Sequence, residues 1–495
     1  MNTRKRLAAI GYAGLLRQTS VLENPACVMG PGQRCDHALV DEELNGRLYT
    51  YEQTVQGRFA PIVDTLKTLS AFQHELDFVA RAQRIAQDRL GYELPGDLLE
   101  NAWVSGLDLR ALHSYCIFRS FKECIDNTAA DQAPWRDRML LDGAFIRGCG
   151  YHAVDVSPCA DGRLQGLLPF VFRVSPDAPI RVKAYAGALF DVEGDMVDWT
   201  ECELLRLADK DQDNDQDNYL KIAVYHFSSS NPSEHGCAAH SSSDAMATRA
   251  AATRLSELRA AIENIYGLGA APDTLLVGVD TDTDAIRIHL PGSDGANVPE
   301  RFVESARLFR ETLGLSADAA RDALEETVVA AEEGCGTRPG LRQFILRLLE
   351  ANLSQIQYVI QHHEGRYQVI GHNERFICAG EAMNELQLRN NFYFAHLDTV
   401  EEAVADLDVG VNIFTALNIS RGLPAPVLVH FHYSSRVPGA GERAVARCRR
   451  VREAIEARYA RLYEQGLLHC QMAVSDVAGN GRCTFVEEET QRVGH

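Results

Sequence analysis

Between residues 40 and 130 the apolar positions recur at spacings of three and four. Phe59, Ile62, Val63, Leu66, Leu69 and Phe72 fall on one such stripe, which predicts an amphipathic helical face running on until Gly91 ends it. A second helical stretch follows in "DLLENAWVSGLDLRALHSYCIFRSFKECIDN", and "DNTAADQAPWRD", residues 126–137, reads as a linker. From about residue 138 the pattern changes. Short apolar runs with turn signals after them, "HAVDVS", "KIAVYHFSS" and "TLLVGVD", read as strands. A long helical pattern lies between the last two, with Ser243 or Asp244 as its N-cap and Gly267 just past its end. Strands alternating with helices predict an α/β layer with a mostly parallel sheet.

The segment from about 381 mixes helix and strand again. Its "FHYSS" matches "YHFSS" in register, so that His432 corresponds to His226. This points to an internal duplication. Eleven residues beyond His226 stands Cys237, and eleven beyond His432 stands Arg443, so a related second copy would lack that thiol. The divisions expected are a flexible tail over 1–35, a helical domain over 36–135, an α/β domain over 136–380 and a degenerate copy of it over 381–495.

Composition narrows the function classes. The 495 residues exceed one ordinary core. A formal charge of -20 argues against nucleic acid as the main partner, which needs a basic face. No apolar run approaches bilayer length, so no membrane span is expected. The first 20 residues have a basic start and a short apolar centre, but no clear cleavage site. They read as a mobile tail, whose Arg4, Lys5, Arg6 and Arg17 make a candidate docking segment. Thirteen scattered cysteines, an odd number, read as reduced cytoplasmic thiols rather than a disulfide framework. Cys27 and Cys35 are near enough in sequence to pair, though nothing demands it.

Candidate chemistry gathers just past the "HAVDV" strand, where Cys159, Asp161 and Arg163 stand at every second position. "YHFSSSNPSEHGCAAH" adds His226, His235, Cys237 and His240. Two thiolates and one imidazole form a zinc set with a fourth position open, the catalytic arrangement. The competing reading is packing, since a Cys or His near a strand end is usually part of the core. A carboxylate two residues after a ligand can accept a hydrogen bond from a metal-bound water, and an arginine two further on can hold it in a bidentate pair. Against that stands an ordinary surface ion pair. The chain has no C-x2-C, which four-ligand structural zinc would favour.

C-x-D-x-R followed by a distant His and Cys resembles the β-class carbonic anhydrases. "HAVDVSPCADGRLQG" and "YHFSSSNPSEHGCAAH" look like their carboxysome shell branch, over nearly the whole chain. The ordinary β-class spacing between His and Cys is two residues, whereas ten lie between His226 and Cys237 here, which fits that branch. The resemblance implies one Zn2+ per chain on Cys159, His226 and Cys237, with Asp161 and Arg163 as the catalytic dyad. It implies reversible hydration of CO2 to bicarbonate and a proton, inside the carboxysome of a bacterial cytoplasm, for Rubisco. It further implies shell proteins and Rubisco as partners, and a homo-oligomer, either a dimer or a multiple of dimers. His235 and His240 are then neighbours, useful in moving protons. Should Arg163 let go, Asp161 could itself ligate zinc. A non-catalytic, zinc-stabilised shell scaffold is the alternative.

Other motifs are discounted. "DKDQDNDQDN", residues 209–218, lacks the Gly and Glu of a calcium loop and reads as a solvated acidic loop. "SPCADG" lacks the second Cys of a zinc deaminase. "GCGTRPG" lacks the Lys of a phosphate loop. "QHHEGRYQVIGH", with His362, His363 and His372, could bind metal but reads better as a polar loop.

Overall fold

The computed structural model describes residues 36–130, 138–176, 178–208, 218–292, 294–332, 337–383, 386–397, 404–479 and 483–486. The N-terminal tail with Cys27 and Cys35, and the acidic stretch up to residue 217, lie outside the described residues.

The helical region packs α1 (Glu42–Phe59), α2 (Ile62–Ala71), α3 (Phe78–Leu90) and α4 (Leu109–Ala130) around a shared apolar core. Asp41 caps α1 by accepting from the Leu44 N–H at 2.9 Å, with Glu42 and Glu43 in the first turn. The single helical face expected from Phe59 to Gly91 is broken into separate helices. Pro61 has no N–H to continue α1, and the chain turns again between Phe72 and Asp77. Val63 consequently faces outward at 39% exposure, while Leu66 and Leu69 are buried. Gly91 does end α3, in the left-handed conformation with φ 86°. The start of the expected linker is helical, because α4 runs on to Ala130; residues 131–137 lie outside the described set.

The first sheet contains β1 (Tyr151–Pro158), β2 (Ile180–Val182), β3 (Asn218–Phe227), β4 (Asp273–Asp280), β5 (Ile286–Pro291) and β6 (Asn297–Glu304). Its order is β2-β1-β3-β4-β5-β6. The first four strands are parallel, and β5 and β6 are antiparallel. Helices α5 (Val192–Ala208) and α6 (Asp244–Tyr266) pack on each other, and α6 lies against β3 and β4. Ser243 is the N-cap of α6, its hydroxyl accepting from the Met246 N–H at 3.3 Å. Strands covered on both faces are buried along nearly their whole length. Lys221 of β3 is 0% exposed, and its ammonium donates to Asp155 at 2.6 Å and Ser157 at 2.8 Å and also pairs with Asp195. A buried charge requires such partners.

Helix α7 (Pro339–His362) leads to the second sheet. That sheet holds β7 (Phe376–Gly380), β8 (Phe392–His396), β9 (Ala425–Tyr433), β10 (Leu468–Asp476) and β11 (Cys483–Phe485), in the order β8-β7-β9-β10-β11. The first four are parallel and β11 is antiparallel. Laid on the first sheet, β8, β7, β9 and β10 follow the same order as β2, β1, β3 and β4. The registers agree as well. Pro158 pairs with Val224, two residues before His226, and Gly380 pairs with His430, two before His432. The C-terminal region is therefore a degenerate repeat of the first α/β unit. Helices α8 (Val404–Leu417) and α9 (Ala440–Arg458) complete it.

Edge strand β8 docks on the first unit. The Asn390, Phe394 and His396 N–H groups donate to the Gly162, Ala160 and Ala184 carbonyls at 2.7, 3.1 and 2.9 Å. The repeat thus presses directly on the loop that follows β1.

Candidate metal centre

Cys159 is the first residue beyond β1, and its N–H continues the ladder to Val224 at 2.9 Å. His226 is the penultimate residue of β3. Both therefore stand at the C-terminal ends of adjacent parallel strands, where sites in such sheets assemble. Cys237 arrives from the loop after β3 and opens a single helical turn, Ala238–His240. The donor atoms of Cys159, His226 and Cys237 all lie within 4.8 Å of one another, and all three residues are buried.

The donor set fits a zinc-like cation. The two sulfurs are 3.8 Å apart in a buried pocket. Their shared hydrogen bond, followed by burial, pushes the Cys159 thiol well above the ordinary range, while the same bond draws Cys237 down. Only one of the pair ionises readily; a second thiolate needs a cation between them. His226 is 0% exposed, and neither ring nitrogen has a hydrogen-bond partner. Orphaned polar atoms of this kind call for an ion or another ligand. The Gly187 N–H points at Cys159 Sγ from 3.3 Å. Gly187 sits at φ 68°, and a Cβ there would meet His240 Nε2 at 2.6 Å, so glycine alone permits this approach.

Asp161 and Arg163 are both 3% exposed. Arg163 Nε donates to Asp161 Oδ1 at 2.9 Å and Nη2 to Oδ2 at 2.7 Å, a bidentate fork. Burial would raise the Asp161 carboxyl, but the nearby Arg163, His372 and His226 outweigh it and hold it well below the usual range. Oδ2 is 3.3 Å from His226 Nε2, which brings the carboxylate to the edge of the donor triad. Arg163 Nη1 also donates to the His235 carbonyl at 2.6 Å and the Ile370 carbonyl at 3.4 Å. These bonds fasten the guanidinium from behind and oppose its release.

The remaining histidines divide. His240 Nε2 lies 3.1 Å from the Gly187 carbonyl and must be the donor, because a carbonyl only accepts. His235 serves the site through its carbonyl. His362 stacks on Tyr49, and His363 pairs with Glu52 at 3.1 Å, both away from the triad. His372 is different: its Nε2 lies 3.9 Å from Asp161 Oδ2, and its Nδ1 is 2.8 Å from Glu374 Oε1. The polar-loop reading of this stretch therefore misses a site residue. Nothing local marks it, because the strands and helices between positions 226 and 372 must fold back before the two histidines meet. Glu374 escapes a sequence reading for the same reason; it packs on Gly162, where a Cβ would stand 2.3 Å from its side chain.

The repeat contributes as well. Asp406 Oδ2 of α8 accepts from the Ala186 N–H at 3.0 Å, beside the Gly187 that faces Cys159. In the second sheet the position of Cys159 is taken by Glu381, the first residue after β7. Its Oε2 is 3.2 Å from His432 Nδ1, and Arg447 Nη1 donates to Oε1 at 2.9 Å. The residue facing this vestigial site is thus Arg447, not Arg443. Arg443 lies within α9 and donates to the Pro438 carbonyl, whereas Cys237 precedes α6.

A parallel sheet carrying two thiols and an imidazole at its strand ends, with an arginine-held aspartate beside them, defines a metal centre of the β-carbonic-anhydrase type. Family models described as carboxysome shell carbonic anhydrase match the chain in three parts: N-terminal over 37–129, catalytic domain over 142–372 and C-terminal over 373–490. The chain is 43% identical over 462 residues to the carboxysome shell carbonic anhydrase of Halothiobacillus neapolitanus, covering 91% of this chain and 90% of that one. It is 45% identical over 448 residues to that of Prochlorococcus marinus strain MIT 9313, covering 89% and 86%. The chain belongs to the carboxysome shell carbonic anhydrase family.

Proposed function

We propose that the chain catalyses reversible, zinc-dependent hydration of CO2 to bicarbonate and a proton within the carboxysome of a bacterial cell, delivering CO2 to Rubisco. The observation that carries this is the buried Cys159–His226–Cys237 triad with the Asp161–Arg163 fork at its edge, in a chain of this family. One Zn2+ per chain is held by those three side chains. Zinc there supplies Lewis acidity, lowering the pKa of a bound water toward neutrality.

The chain's own residues do the rest. Asp161, kept ionised by Arg163, accepts a hydrogen bond from the attacking water and turns its lone pair toward the CO2 carbon. Arg163 keeps that carboxylate from swinging into the donor triad. The walls exclude bulk water, since Cys159, Asp161, Arg163, His226 and Cys237 are all 5% exposed or less. Three donors leave a position for a reacting water, whereas structural zinc uses four, which favours an enzyme over a zinc-stabilised scaffold. Two anionic thiolates offset the metal's charge more than neutral imidazoles would, so hydration should rise toward alkaline pH. Shell proteins and Rubisco are the proposed neighbours, in a dimer or a multiple of dimers. Among the described residues no helix is long and apolar enough to cross a membrane.

The test is oxygen-isotope exchange between CO2 and water by the zinc-loaded protein. Exchange far above the uncatalysed rate is expected; a zinc-bound protein without it would be a scaffold.

A further inference from the structure

We propose that His372 carries the hydration proton from the metal centre to solvent, and that Glu374 is the residue that positions it. This rests on the CO2 hydration reading above. Hydration joins a water oxygen to the carbon of CO2 and leaves one proton over; no electrons change hands. That proton needs an acceptor near Asp161 that also reaches water. Asp161 cannot hand it to solvent itself, because it is 3% exposed and both its carboxylate oxygens are held in the Arg163 fork.

His372 meets both conditions. Its Nε2 is 3.9 Å from Asp161 Oδ2, beyond a direct hydrogen bond and within the span of one bridging water. A quarter of its side chain, 25%, is exposed. Glu374 has 0% side-chain exposure and approaches Nδ1 at 2.8 Å. Its Oε1 accepts the Nδ1–H, which leaves the Nε2 lone pair aimed at the site. Gly162 gives Glu374 the room to stand there, as any Cβ at 162 would displace it. The groups facing His372 are Asp161 and Arg163 from the loop after β1, Glu374 from its own segment, and the His235 ring, which a Cβ on the neighbouring Gly371 would meet at 3.4 Å. Burial lowers the His372 pKa, but Asp161 and Glu374 outweigh it and raise it above the ordinary histidine value.

The transfer balances. Nε2 takes the proton and the ring becomes imidazolium, with Nδ1–H still on Glu374. The exposed edge then yields the Nε2 proton to buffer, and the neutral ring returns.

Oxygen-18 exchange separates the interconversion of CO2 and bicarbonate from the release of labelled water, which needs a proton delivered to the site. His372→Ala should lower the ratio of water release to interconversion by at least about tenfold. Added imidazole should restore it, with zinc content per chain unchanged. Glu374→Gln keeps an acceptor but removes the charge. By NMR the His372 titration should move to lower pH, and the pH profile of water release should move with it. An unchanged ratio in His372→Ala, a loss that imidazole does not restore, or an unmoved His372 titration in Glu374→Gln would overturn the proposal. Wild-type protein that catalyses no exchange removes the hydration reading and this inference together.

Discussion

The two sheets make an internal control. They share strand order, register and a histidine two residues past the same paired position, yet among the described residues only the first gathers a metal-ligand triad. The first offers Cys159, His226 and Cys237. The second offers Glu381 and His432, with the Arg447 guanidinium donating to Glu381 at 2.9 Å. Positive charge is needed in both places. In the first it must be imported, because two buried thiols repel a second ionisation. In the second the chain supplies it, and burial notwithstanding, His432 and Arg447 hold the Glu381 carboxyl at about 2. The two units therefore share architecture without sharing chemistry: the repeat has the same scaffold, whose β8 and Asp406 brace the first site, with different side chains at its strand ends.

Asp161→Asn should break the live side most sharply. It preserves the donor triad, so zinc content should hold while CO2 hydration falls about a hundredfold or more. Stopped-flow hydration beside metal analysis checks both halves of that statement. On the vestigial side, Arg447→Ala leaves Glu381 facing His432 alone. Those groups are partly exposed, so the expected cost is about 1 kcal/mol or less, read as a lower urea midpoint. Zinc should stay at one per chain, and a second equivalent would show the repeat to be a live site.

A pH-dependent effect concerns the brace. Burial raises the Asp406 carboxyl to about 6, against the Ala186 N–H and His396, which lower it. A carboxyl raised above its unfolded value adds stability below the unfolded pKa and loses it as pH rises through the folded one. Asp406→Asn keeps an acceptor for Ala186 without titrating. Its melting temperature should match wild type near pH 4 and exceed it by a few degrees above pH 6. Equal melting curves at all pH values would show that Asp406 bears no such load.

Much of the fold is legible in the residue pattern itself. The alternation of short apolar runs with helical stripes is a local signal, and it leads to the parallel sheet. The Cys159–Asp161–Arg163 spacing is local too, and so is the match of "YHFSS" to "FHYSS". What stays hidden depends on tertiary placement. His372 and Glu374 look like an ordinary polar loop until the edge strand β8 docks on the loop after β1. Counting eleven residues from His432 reaches Arg443, but the loop after β9 is shorter than that after β3, so the count runs into α9 and Arg447 takes the role. The helical face through Phe72 is right in period and wrong in continuity, since Pro61 and the turn before Phe78 divide it.

The metal assignment meets its sharpest test in zinc-edge X-ray absorption on the purified chain, set beside its Cys237→Ser variant. One zinc per wild-type chain is predicted, with two sulfurs at about 2.3 Å and nitrogen or oxygen neighbours at about 2.0–2.1 Å. In the variant, zinc affinity should weaken more than about a hundredfold, beyond what loss of an outer-shell partner costs. A shell without sulfur, two zincs per chain, or full zinc retention in Cys237→Ser would contradict it.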